Sequence, residues 1–77
     1  MSELKISLKA VKISLKAARV NANLTLDEAS ELLHTTRQTL INYEKGVTSP
    51  TVDKLIEMCH LYGVRLESIS FLPKESN

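Results

Sequence analysis

The sequence predicts a compact all-α domain of five short helices. Three observations point there. Residues suited to starting or stopping a helix recur at short intervals along residues 12–72. The apolar residues between them follow helical i, i+3 and i+4 spacing. The connections are only a few residues long, so successive helices must pack on one another. No segment reads as a clear strand. A chain of 77 residues is enough for one domain.

Each element has its own local reason. Helix 1 is expected over about Ser14–Ala22, with Ser14 as its cap and Leu15 and Ala18 on one edge. Asn23 ends it, because Asn tolerates left-handed backbone. Helix 2 follows at about Thr25–Leu33. Thr25 and Glu28 have the spacing of a capping box, and Asp27 and Glu28 complement the positive end of the helix dipole. Helix 3 starts after Thr36, carries Leu40 and Tyr43 inward and stops at Gly46. Helix 4 is expected to begin with Ser49 as N-cap and Pro50 as its first residue. Val52, Leu55, Ile56 and Cys59 form its apolar repeat, and Gly63 with Val64 suits a Schellman end. A short helix 5 falls around Leu66–Ser70. Pro73 and the polar residues after it form a flexible tail, 73–77.

Composition excludes more than it assigns. Ten basic and nine acidic residues leave a net charge of +1. One cysteine, Cys59, allows no internal disulfide and suits a reducing cytoplasm. No apolar run is long enough to span a membrane, and no signal peptide is evident. Charge is unevenly placed. Residues 1–20 carry Lys5, Lys9, Lys12, Lys16 and Arg19 against Glu3 alone. Residues 21–77 carry five basic and eight acidic residues. A short repeat lies in the basic stretch: Lys5-Ile6-Ser7-Leu8-Lys9-Ala10 recurs as Lys12-Ile13-Ser14-Leu15-Lys16-Ala17. The second copy reads as the start of helix 1. The first, within residues 1–11, reads as a basic arm or a helix extension; basic arms of this kind add phosphate or minor-groove contacts.

The middle of the chain is the most informative part. Two short helices joined through His34-Thr35 cannot lie side by side. They must cross, as in a helix-turn-helix, with the second helix free to enter a DNA major groove. Ala29, Ser30, Leu33, Leu40 and Tyr43 make the inward set. Arg37, Gln38, Ile41, Asn42 and Lys45 make an outward stripe on helix 3. Arg can grip guanine as a fork, Gln or Asn can pair with adenine, and Ile41 can touch a thymine methyl. Thr36 and the backbone N–H groups of the first turn suit a phosphate. A solvated helix face with one outward Ile is the competing reading of the same stripe.

The run from Leu24-Thr25-Leu26-Asp27-Glu28-Ala29-Ser30 to Thr36-Arg37-Gln38-Thr39…Tyr43-Glu44-Lys45-Gly46 resembles the Cro/CI-type (XRE) helix-turn-helix of phage and bacterial repressors. Leu15-Lys16-Ala17-Ala18-Arg19 resembles the first helix of that family. Ser49-Pro50 and Leu61-Tyr62-Gly63-Val64 resemble its helix 4 and turn. The likeness covers roughly residues 13–70. It implies a five-helix, lambda-repressor-like bundle over residues 12–72 that binds double-stranded DNA. It implies DNA contacts for Thr36, Arg37, Gln38 and Asn42, with Gln38 and Asn42 as base readers. Thr25 and Leu26 match positions lying against the phosphate backbone, and so do Lys45 and the Val47-Thr48 loop. Arg19 and Glu44 match a pair that forms a semi-buried salt bridge in some relatives. Three positions depart from the pattern. Leu26 stands where many relatives place a Gln that braces the readout residue. His34 and Asn23 stand where Gly is frequent, and both residue types tolerate positive φ better than most.

Other signals are weak. Cys59 and His60 point about 100° apart on a helix and share no metal easily, and His34 has no partner in sequence. No metal, cofactor or catalytic constellation is read, so an enzyme is not expected. The expected function is a transcriptional regulator, a repressor acting as a homodimer on a palindromic operator in a bacterial cytoplasm or phage-infected cell. The alternative is an antitoxin or anti-repressor-type adaptor that uses the same fold to bind a regulatory protein partner. Leu66, Ile69, Phe71 and Leu72 are read either as closing the core or as a dimer seam.

Overall fold

The computed structural model describes residues 12–70. The arm assigned to residues 1–11 with the first repeat copy, Phe71 and Leu72, and the tail 73–77 lie outside the described residues. Four α-helices follow one another: α1 Leu15–Asn21, α2 Leu26–Leu32, α3 Arg37–Lys45 and α4 Val52–Tyr62. A single 3-10 turn, Leu66–Ser68, comes last. Among the described residues there is no strand, only one parallel bridge between Ile13 and Ile69.

Each helix begins on a hydroxyl. Ser14, Thr25, Thr36 and Thr51 accept from the amides of Ala17, Glu28, Thr39 and Lys54. Thr25 and Glu28 form the full capping box, with Thr25 N donating to Glu28 Oε1 at 2.9 Å. Each helix also ends alike. Asn23, His34, Gly46 and Gly63 take left-handed backbone, at φ of 63°, 56°, 79° and 72°. The amide after each bonds five residues back, Leu24 to Arg19, Thr35 to Ser30, Val47 to Asn42 and Val64 to Cys59. These are Schellman closures, two of them built without glycine.

Two expectations about the second half are corrected. Helix 4 starts at Val52 with Thr51 as cap; Ser49 and Pro50 precede the helix. Pro50 is buried ahead of the helix, and it is the Thr51 hydroxyl that accepts from Lys54 N at 3.1 Å, so Ser49 belongs to the connection. The terminal helix 5 is only a 3-10 turn. Ile69 leaves helical geometry at φ −88° and ψ 130° to pair with Ile13. Ile13 N donates to Ser68 O and Ser70 N donates to Ile13 O, so the second repeat copy contributes a bridge residue before α1 begins.

The core joins Leu15 and Ala18 of α1, Ala29 of α2 and its following Leu33, Leu40 of α3, and Leu55, Met58, Cys59 and Tyr62 of α4, closed by Ile69. On α4 the buried face is therefore Leu55-Met58-Cys59-Tyr62. Val52 and Ile56, which share the helical apolar spacing, point to solvent at 68% and 41% exposure. Lys54 sends Nζ across to Leu33 O at 2.7 Å and so satisfies a terminal carbonyl of α2.

Candidate nucleic-acid interface

The packing of α2 against α3 is the most extensive between any two helices. Ala29, Leu33 and Leu40 are buried in it, and Ser30 is nearly as enclosed, its hydroxyl donating to Asp27 O. The small Ala29 and Ser30 let the two helices approach closely. The connection Leu33–Thr36 then turns the chain so that α3 lies across the face of α2.

From the other side α3 is fixed by an ion pair. Arg19 Nε donates to Glu44 Oε2 at 2.7 Å and Nη2 donates to Oε1 at 3.2 Å. Nη1 donates to Leu24 O at 2.9 Å. Both side chains are more than nine-tenths buried. The guanidinium pKa is raised by its bond to Glu44, against the opposing effect of burial. Residues 25 positions apart thus lock α1, the α1–α2 turn and α3 together.

With its inner face so held, α3 presents an outer one. Arg37, Gln38 and Lys45 are exposed, and Ile41 and Asn42 are half-buried. Gln38 Nε2 donates to Asn42 Oδ1 at 3.1 Å, so two amides expected to read bases stand as one unit on successive turns. Gln38 is not left loose by the replacement at Leu26. Thr36 accepts from Thr39 N and donates to Thr39 Oγ1, which fixes its rotamer at the start of α3. Thr25 is exposed at the start of α2. Leu26 is half-buried against the core, so only its backbone can offer a polar contact. Thr48 is exposed in the connection after α3.

One contact was not foreseen from the sequence. Arg37 Nε lies 3.2 Å from Asp27 Oδ1, joining the first turns of α3 and α2. Asp27 had been read only as a charge suited to a helix start. The signal for the pair was the crossing itself, which brings the two helix beginnings together ten residues apart in sequence. His34 and Cys59 join no metal cluster, and none exists among the described residues.

The profile of the helix-turn-helix family, Cro/CI-like, matches residues 15–69. This chain belongs to the Cro/CI-type helix-turn-helix family. No curated protein and no solved structure matches it at a significant level. Membership carries the coarse function: the helix-turn-helix protein is a DNA-binding transcriptional regulator, acting on double-stranded DNA. Its α2 and α3 are the helix-turn-helix pair. None of its described helices is long and apolar enough to cross a membrane.

Proposed function

We propose that this helix-turn-helix protein represses transcription in the cytoplasm as a homodimer, each copy reading half of a palindromic operator through α3. The observation that carries the reading is the α3 stripe: a polar, outward face on a helix capped at both ends and locked by Leu40 and the Arg19–Glu44 pair. Base readout needs side chains held in place, because a loose one loses rotamer entropy on every contact. Arg37 would grip a guanine, the Gln38–Asn42 unit an adenine, and Ile41 a thymine methyl. Thr25, the backbone at Leu26, Thr36, Lys45 and Thr48 would meet phosphates and set the register. Occluding the polymerase is the simplest mode of repression open to a domain this small.

The homodimer is supported by an apolar surface away from α3. Val52 and Ile56 lie one turn apart on α4, and Ile56 lines a shallow groove with Val64 and Leu66. Arg65 and Glu67 border the groove with opposite charges, paired to each other at 3.2 Å. A two-fold contact brings such a patch against itself and needs no second surface.

Selection from random duplex DNA tests the proposal. The expected product is a palindrome with half-sites about one helical turn apart. Gln38→Ala and Asn42→Ala should each relax selection at defined positions, by about 1–3 kcal/mol per base pair. No enriched sequence would overturn the reading and favour the protein-binding adaptor.

A further inference from the structure

We propose that Asp27 determines specificity by positioning Arg37, holding it end-on toward a guanine and away from the phosphates; the inference rests on the DNA reading above. The pair joins the second residue of α2 to the first of α3, and both side chains are largely exposed, at 81% and 61%. An ion pair this open contributes little to stability, so a structural role does not account for it.

The geometry gives it another. Asp27 Oδ1 lies on the Nε side of Arg37, 3.2 Å away, as an ion pair rather than a directed hydrogen bond. That leaves the two terminal nitrogens, whose outward N–H groups match guanine O6 and N7 as a fork. Arg37 also stands in the first turn of α3, where the helix dipole opposes a cation. A carboxylate beside it offsets that field and gives the guanidinium one preferred place.

Charge supplies the second half of the argument. An exposed Arg without a partner pairs readily with any phosphate it reaches, and such contacts carry no sequence information. Asp27 cancels Arg37 in the free protein and repels a phosphate that approaches its Nε side. Of the stripe, only Lys45 is then left without an ion-pair partner among the described residues. Glu28, the neighbouring acid, is committed to the capping box through Thr25 N. The effect is to trade general DNA affinity for discrimination at one base pair.

The test compares the wild type, Asp27→Asn, Arg37→Ala and the double variant, using the selected operator, single-base variants of it and unrelated duplex across a salt series. Asp27→Asn should bind unrelated duplex several-fold more tightly, with a log–log salt slope steeper by about one. It should lose about tenfold in discrimination at the base pair that Arg37→Ala also relaxes. In the Arg37→Ala background, Asp27→Asn should change discrimination no further. Unchanged melting of Asp27→Asn would exclude a folding defect. A wild type that selects no sequence overturns the DNA reading itself. A selective wild type with an equally selective Asp27→Asn overturns the role of Asp27 alone, as does a loss that persists in the Arg37→Ala background.

Discussion

Arg19 and Glu44 are the most enclosed charges among the described residues, and their energetics are set by what each leaves behind. Each satisfies the other, and Arg19 also satisfies Leu24 O. Removing one strands the other in a dry place. Glu44→Ala should therefore lower unfolding free energy by about 3–5 kcal/mol in urea denaturation, whereas replacing both partners with apolar residues should cost far less. An equally stable Glu44→Ala would sink this account. Tyr62 sits near the same pair. Its hydroxyl is buried and has no hydrogen-bond partner among the described residues. Burial, reinforced by Glu44 and opposed by Arg19, pushes its pKa from 10.0 up to about 12. The unfolded chain thus loses that proton first, so the domain should lose stability as pH rises from 10 towards 12 and be indifferent to this group below. Tyr62→Phe should abolish that dependence, measured as denaturation midpoint against pH, and should not destabilise at neutral pH. Arg19 and Glu44 were legible only through family resemblance, since nothing local joins residues so far apart. The state of the Tyr62 hydroxyl was not legible, because an unpartnered hydroxyl is a property of the packed surroundings.

Helix boundaries were the most readable level, and the reason is local chemistry. Ser14, Thr25 and Thr36 cap from within three residues, so their partners are adjacent in sequence. Asn23, Gly46 and Gly63 announce left-handed backbone by residue type. The start of α4 was misread where two acceptable caps stand two residues apart. Ser49 precedes a proline and Thr51 follows it, and it is Thr51 whose hydroxyl accepts from Lys54 N. The difference is measurable. Thr51→Ala should cost about 1 kcal/mol in thermal or urea unfolding, while Ser49→Ala should stay within about 0.5 kcal/mol. The apolar repeat of α4 was also ambiguous. Val52-Leu55-Ile56-Cys59 and Leu55-Met58-Cys59-Tyr62 both satisfy helical spacing, and only the position of the other helices selects the second. Lys54 escaped notice for a similar reason, since its partner Leu33 O belongs to another helix.

At the scale of the whole molecule, the net charge of +1 gives no hint of a DNA partner. Within residues 24–46 the acids outnumber the bases four to two. Placement resolves this. Glu44 faces Arg19, Glu28 closes a capping box, and Asp27 faces Arg37. Electrostatic attraction to DNA of arbitrary sequence should accordingly be modest, and affinity should rest on the readout residues. The outward Val52 and Ile56 belong to this scale as well. On the proposed homodimer, Ile56→Lys should shift the protein to monomer in sedimentation and weaken binding to the selected operator, while leaving the melting temperature close to that of the wild type, because the side chain is already half in water. A dimer that persists in Ile56→Lys would move the interface elsewhere.

The bridge between Ile13 and Ile69 makes the described domain a nearly closed loop of chain. Backbone 56 positions apart in sequence lies side by side, tied by Ile13 N to Ser68 O and Ser70 N to Ile13 O. Joining these two points with a short linker would therefore disturb little. New ends could be cut at the exposed Val47-Thr48, between α3 and α4. Such a circular permutant would keep every helix whole and detach the reading helix from its successor in chain order while leaving it in place. The same neighbourhood of the two points makes the domain suited to insertion into a loop of another protein, where its host would feel one short gap rather than the length of the guest.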